Sequence, residues 1–312
     1  MEREIGIYTN QIKGPLLVVI GGIHGNEHAG IKAIDLVCKM LQVEHIKNQN
    51  FQYIGKFLGI IGNLKAAEKR QRFIDKDLNR NWHPEIVEKV KNTPAQYLDA
   101  EDQEMKAILE LIDQAILDDQ IDRLVVLDLH TTSSDGGIFT IPGKDPESLQ
   151  IAMQLHATVI KGILEGIRGT TLHYFTKEHF TIPTTSVTFE SGQHDDPKSV
   201  NRAVSAIINC MRTIGSVNAQ DVENIHDLTL MSSASQLPKN TKLIHRHAIA
   251  PNSQFEMLPG FKNFQSVKAG QILAKDINGD IAATEDGLLL MPLYQKQGED
   301  GFFLIQEIPY EQ

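Results

Sequence analysis

The chain has 312 residues, 41% hydrophobic and 22% charged, with a formal net charge of -10. That size suits one large domain or a large domain with a small one, and the composition is that of an ordinary globular protein. The negative balance excludes the broad basic face of a nucleic-acid binder, so an anionic ligand must be caught by a local cluster of Arg, Lys and His.

The apolar run GPLLVVI predicts a first buried strand over Leu16–Ile20, followed by the glycine-rich turn GGIHGNEHAG at residues 21–30. Further strands are expected at Gln52–Gly59, Arg123–Leu127, Gly137–Ile141 and Thr185–Phe189. Helical patterns alternate with them, which predicts an α/β fold. Three helix starts share one device, a capping residue followed by proline: Thr93-Pro94, Asp145-Pro146 and Asp196-Pro197. The first leads into AQYLDAEDQEMKAILELIDQAILDD, apolar at intervals of three and four; the third ends near Gly215, a natural C′ glycine. After about residue 225 the texture changes. SSASQLPKN reads as a linker, and from Lys242 short β patterns alternate with turns such as NGD and EDG. Residues 1–225 are therefore expected to form the main domain and residues 240–312 a small all-β domain.

Cys38 and Cys210 both lie in apolar helical patterns, which predicts buried free thiols. No apolar run reaches the ~18 residues of a membrane helix, and MEREIGIYTN has no n-region and h-region of a signal peptide. The expectation is a cytoplasmic protein with no membrane partner.

The opening turn admits three readings. A phosphate cradle is the poorest, because neither G-x-G-x-x-G nor G-x-x-x-x-G-K-[ST] is present. A helical zinc pair of His24 and His28 would place its glutamate directly after the first histidine, whereas Glu27 comes three residues later. The third reading makes His24 and Glu27 metal ligands at the open end of the sheet, with glycines 21, 22 and 25 allowing the bend. A catalytic zinc needs a third protein ligand and one open position. RLVVLDLHTTSSDGG offers it: His130 closes an apolar strand, and Asp128 lies on the same face, placed to orient the imidazole. Either residue alone reads as a strand end or a turn cap; together with His24 and Glu27 they favour a metal.

The motifs GGIHGNE, DKDLNRNW, LDLHTTS and VTFESG, in that order, resemble the aspartoacylase and succinylglutamate desuccinylase family, relatives of the zinc carboxypeptidases. The resemblance runs from about Leu16 to Gly192, and a trailing β domain is also a family feature. It implies a mixed sheet flanked by helices, one Zn2+ per chain on His24, Glu27 and His130, and a substrate carboxylate held by Asn79 and Arg80. It also implies that Glu190 is the general base acting on zinc-bound water. These roles are chemically sound: zinc with two neutral imidazoles and a carboxylate keeps a charge of about +1 and acidifies water toward ~7. A positioned base contributes roughly 10²–10⁴-fold, and an Arg fork matches a carboxylate, although an ion pair of Arg80 with Asp75 or Asp77 is an equal alternative.

Two departures bear on specificity. Aspartoacylases carry NPR where this chain has NLKAAEKRQRF, so Lys65 stands at the carbonyl-polarising place, with Arg70 and Arg72 as alternatives. The loop LHYFTKEHFTIPTT lacks the family's side-chain arginine and offers Tyr174, Lys177 and His179 instead. These differences speak against N-acetylaspartate while leaving hydrolysis of a small anionic N-acyl amino acid intact. Rival readings are a carboxypeptidase acting on short peptides and a non-catalytic binder of N-acyl amino acids. The tail SVKAGQILAKDINGDIAATEDGLLLMP is similar to a biotinyl or lipoyl hammerhead but has no lysine in a clear modification motif. It is expected to cover the active-site mouth, and a homo-oligomer remains open.

Overall fold

The computed structural model describes residues 1–309. Its strands are β1 (Glu4–Thr9), β2 (Ile12–Gly21), β3 (Ile54–Ile61), β4 (Ile121–Thr132), β5 (Phe139–Pro142), β6 (Thr158–Lys161) and β7 (Thr184–Gln193), then β8 (Asn240–Ala248). The C-terminal region adds β9 (Glu256–Met257), β10 (Ser266–Val267), β11 (Ile272–Asp276), β12 (Gly279–Ala282), β13 (Gly287–Leu290) and β14 (Asp300–Glu307). The helices are α1 (His28–Lys47), α2 (Leu64–Lys69), α3 (Pro84–Asn92), α4 (Ala100–Ile116), α5 (Pro146–Gln154), α6 (Ile163–Gly166), α7 (Thr171–Tyr174), α8 (Pro197–Thr213) and α9 (Ile225–Ser233).

An 11-stranded sheet runs in the order β1-β3-β2-β4-β7-β5-β6-β8-β14-β13-β10, and β12-β11-β9 form a second small sheet. The centre, β3-β2-β4-β7, is parallel, while β1 and β5 pair antiparallel at its flanks. This is the expected mixed α/β sheet flanked by helices, with an antiparallel C-terminal region. β8 joins β6 in parallel, so the C-terminal strands continue the main sheet.

The central strands are buried on both faces, which explains why they read as continuous apolar runs. Alternation sorts their side chains into two layers. Leu17 and Val19 of β2, Val125 and Leu127 of β4, and Val187 and Phe189 of β7 pack with α1 and α8. Leu16, Val18, Leu124 and Val126 point the other way, against Met105, Ile108 and Ile112 of α4. The even-numbered face of β4 is thus the one that carries Asp128 and His130.

Two of the three expected proline caps hold: Asp145 accepts from Ser148 N to start α5, and Asp196 accepts from Lys198 N to start α8. Thr93-Pro94 does not start a helix. The Thr93 hydroxyl turns back to donate to Lys89 O at the end of α3, and Pro94 is extended at ψ 139. The helix begins later at Ala100, where the Asp99 carboxylate accepts from Asp102 N and does the capping. The stretch read as a linker is in part helical, because α9 reaches Ser233. Cys38 and Cys210 are buried and unpaired, and burial pushes their thiols up to about 11 and about 12, so both are inert. Among the described residues no helix is long and apolar enough to cross a membrane.

Glycine matters most at the turn after β2. A methyl group on Gly25 would lie 2.2 Å from Ala66 C and 2.3 Å from Ala67 N, both backbone atoms of α2. At Gly215 (φ +79), by contrast, a methyl would meet nothing within 4 Å. Gly25→Ala should therefore cost about 3 kcal/mol by forcing α2 away, and Gly215→Ala about 1 kcal/mol from its left-handed backbone alone. Urea midpoints of the two variants check this; equal shifts would show that the turn yields freely.

Candidate metal centre and substrate pocket

Three neighbouring parallel strands end at one place, and each delivers part of the site. β2 ends at Gly21, and the turn that follows carries His24 and Glu27 before α1 begins at His28. Glu27 occupies the cap position of α1 without bonding to the helix; its carboxylate is turned toward the histidines instead. β4 supplies His130, and the parallel register sets His130 directly beside Glu190 of β7. All four side chains are buried.

Glu27 is shared between the two imidazoles. His24 Nδ1 lies 2.8 Å from Glu27 Oε1, and His130 Nδ1 lies 3.0 Å from Glu27 Oε2. The Thr131 amide donates to Glu27 Oε2 at 2.9 Å. Each imidazole has a second carboxylate on its far nitrogen: Asp77 Oδ1 lies 3.2 Å from His24 Nε2, and Asp128 Oδ2 lies 3.0 Å from His130 Nε2. The latter contact is close without hydrogen-bond alignment. Asp128 also accepts from the Thr171 hydroxyl at 2.6 Å.

The donor set fits a metal ion. One ligand atom from each of His24, Glu27 and His130 lies within 4.8 Å of the other two. Carboxylates on both Nε2 atoms leave both Nδ1 atoms facing the same point, the arrangement that orients imidazoles toward a cation. The electrostatics agree. Burial opposes the charge on Glu27, yet the two imidazoles override it and hold the carboxyl well below its usual range. Burial likewise opposes protonation of His130, but Asp128 and Glu27 raise it well above an ordinary histidine. Such proton affinity marks a spot short of positive charge, a deficit that a bound cation would fill. Glu190 Oε2 is buried with no hydrogen-bond partner. Its carboxyl is pushed up to about 8, chiefly by burial, with His130 opposing and Glu27 and Asp128 adding to the rise.

A pocket of about 840 Å³, counting its open mouth, reaches these groups and is also lined by Arg72, Asn79 and Arg80. Its far wall comes from the C-terminal region, including Met291, Gln295 and Asp300. The turn bearing the arginines is held by Glu101, a fully buried carboxylate that accepts from the amides of Ile74, Asp75 and Lys76. Asp75, Asp99 and Glu101 form a second acidic group, but Glu101 is saturated by these bonds and Lys76 pairs with Asp99.

The structure separates the basic candidates. Lys65 is outside the pocket: it sits on α2, and its ammonium bonds Gln103 of α4. Arg70 ends α2 in a left-handed conformation and also lies outside the lining. Arg72 is the basic residue beside the ligands, bonded to Asp77 through Nε (3.2 Å) and Nη2 (3.0 Å), with Nη1 3.8 Å from Glu27. Arg80 pairs with neither Asp75 nor Asp77. It donates to Asp300 at 2.8 Å across 220 residues of chain, while Asn79 Oδ1 accepts from Thr171 N. Tyr174, Lys177 and His179 do not line the pocket. Tyr174 packs with Trp82, Phe175 and Phe180 and stacks on His179, so that loop builds an aromatic core. Asp77, Asn26 and His194 were not anticipated. Asn26 donates to Gln295 at 2.8 Å, and His194 lies 2.7 Å from the Thr131 hydroxyl and 3.3 Å from Gln295 Oε1, tying the C-terminal region to the turn of His24 and Glu27.

The raised Glu190 carboxyl gives a pH prediction for metal-free protein. Between about 4.5 and about 8 the unfolded chain has lost this proton and the folded chain has kept it, so stability falls as pH rises across that window. Glu190→Gln should remove this loss. Urea unfolding in chelator at pH 5 and pH 8 should show the variant gaining on wild type by more than ~1 kcal/mol at the higher pH; a gap independent of pH would contradict it. His130→Ala should abolish stoichiometric zinc binding in dialysed protein, and Asp128→Asn should weaken it by about 10–100-fold.

Residues 13–214 match the succinylglutamate desuccinylase/aspartoacylase catalytic domain. The chain is 25% identical over 287 residues to a probable aspartoacylase of Nostoc sp., an alignment that covers 89% of this chain and 90% of that protein. It is 25% identical over 300 residues to a succinylglutamate desuccinylase of Pseudoalteromonas atlantica, covering 90% and 77%. A solved structure of a succinylglutamate desuccinylase/aspartoacylase from Rhodobacter sphaeroides has the same fold, with a TM-score of 0.66 at 17% identity over 97% of this chain and 88% of that one. With its catalytic-domain match spanning the strands that carry His24, His130 and Glu190, this chain belongs to the succinylglutamate desuccinylase/aspartoacylase family of deacylases.

Proposed function

We propose that the protein is a zinc-dependent amidohydrolase that removes the acyl group from the amino nitrogen of a small amino acid. One observation carries this reading: two imidazoles and a carboxylate converge beside a fourth group, the unpaired carboxyl of Glu190, at the ends of adjacent strands. Two neutral nitrogens and one carboxylate suit zinc, with a coordination position left for reaction. When bound, zinc supplies Lewis acidity that polarises an amide carbonyl and acidifies water.

The protein's own groups divide the remaining work. Glu190 accepts the proton of the attacking water and delivers it to the leaving amine nitrogen; burial gives it the proton affinity this shuttle needs. Arg72, fixed by Asp77, leaves Nη1 for the carbonyl oxygen as negative charge develops there. Asn79 and Arg80 hold the substrate carboxylate. The C-terminal β region, from residue 240 on, is the cover of the mouth in this reading; its pocket-lining side chains narrow the pocket and exclude water. That cover disfavours a carboxypeptidase, which must admit a longer chain.

Metal analysis combined with a hydrolysis screen of N-acyl amino acids tests the reading. Glu190→Gln should keep its zinc and lose about 10²–10⁴-fold in kcat. Arg72→Ala should lose about 10²–10³-fold, mostly in kcat. An active Glu190→Gln enzyme, or an Arg72→Ala enzyme altered only in KM, would refute the respective assignment.

A further inference from the structure

We propose that the pocket selects an N-acyl amino acid with a single carboxylate and an apolar side chain, and rejects dicarboxylates; this rests on the deacylase reading above. The first argument is the supply of positive charge. Arg72 and Arg80 are the only Lys or Arg side chains among the described residues that line the pocket. Arg72 is bonded to Asp77 through two of its nitrogens. Arg80 donates one Nη to its neighbour's carbonyl, Asn79 O, and the other to Asp300, with Glu299 4.0 Å from Nε. Its buried Nε has no hydrogen-bond partner. Each Nη therefore keeps one further N–H, together enough for one substrate carboxylate. A second carboxylate would face Glu299 and Asp300 without a cation of its own. Asp300 is fixed in place, because Arg246 grips its other oxygen at 2.5 Å.

The second argument is the wall beside Arg80. Ile141, Ile163, Ile167, Leu172, Met291 and Phe303 line this side of the pocket and pack into one cluster. The segment that carries three of them lies directly against the arginine turn. Trp82 N donates to Gly169 O at 3.0 Å, and Thr171 N donates to Asn79 Oδ1 at 2.9 Å. A methyl on Gly169 would come within 2.3 Å of Arg80 O, so the approach requires glycine. The apolar wall thus begins where the carboxylate is held. The group attached to the same carbon as that carboxylate, the amino-acid side chain, lands on it.

The test is a panel of N-acetyl derivatives of glycine, alanine, leucine, methionine, aspartate and glutamate, with N-succinylglutamate, given to the zinc-loaded enzyme. The expected result is a rise in kcat/KM of roughly fourfold for each added methylene, with the leucine derivative at least 100-fold ahead of the aspartate one. Equal or faster cleavage of the dicarboxylates would overturn the proposal and leave the deacylase reading standing. Calorimetry on zinc-loaded Glu190→Gln separates the two: N-acetyl-leucine should bind at least tenfold more tightly than N-acetylaspartate. If nothing in the panel is cleaved, the deacylase reading fails and this binding ratio decides the selectivity by itself. Asp300→Asn should raise the aspartate-to-leucine ratio of kcat/KM at least tenfold, a ratio in which partial unfolding cancels. Ile167→Thr, a milder change, should lower the leucine-to-glycine ratio of kcat/KM. Unaltered ratios in both variants would overturn the proposal.

Discussion

The buried carboxylate of Glu27, shared by two imidazoles, is the contact on which the rest of the site depends. A carboxylate removed from water costs several kcal/mol unless positive charge and hydrogen bonds replace its hydration. Here that replacement comes from His24, His130, the Thr131 amide and the edge of Arg72. Those partners bring their own anions, Asp77 and Asp128, so charge alternates outward from the centre. The geometry is a set of mutual obligations, each of which constrains the tautomer and orientation of the next side chain.

Sheet pairing makes this arrangement possible. Parallel strands in register end together, and alternation puts every second side chain on the same face. His130 and Glu190 therefore face one point because their strands are paired at those residues. The functional cost is visible at Glu190, a buried carboxyl left without a partner. A fold optimised for stability alone would have an apolar residue there; the proton shuttle of the proposed function needs the carboxylate.

The C-terminal region lines the pocket as well as extending the sheet. Asp300 meets Arg80 and Arg246, and Gln295 meets Asn26 beside the ligand turn. A pocket that borrows one wall from a distant segment can change its charge and shape by substitution in that segment, with the metal ligands unaltered. A family with one catalytic framework and several substrates has its variation placed naturally there.

Local signals in the chain determined a good deal. The apolar runs marked the central strands because those strands are buried on both faces. His130 and Glu190 were legible because each lies at the end of such a run, His24 and Glu27 because they sit in the glycine-rich turn that follows one, and Asp128 because alternation places it on the face of His130. Two caps were legible at Asp145 and Asp196, whereas Thr93 was misread because its hydroxyl had a nearer acceptor behind it in α3. Tertiary structure alone decided which basic residue lies beside Glu27 and the two histidines. Lys65 and Arg72 lie seven residues apart on one turn, and only the packing of α2 on α4 sends the lysine outward. It also decided the partner of Arg80, since an ion pair between residues 80 and 300 leaves no local trace in sequence. Periodicity and capping act over a few residues, whereas charge pairing acts through space, so the converging histidines and carboxylates could be read from the chain and the pocket around them could not.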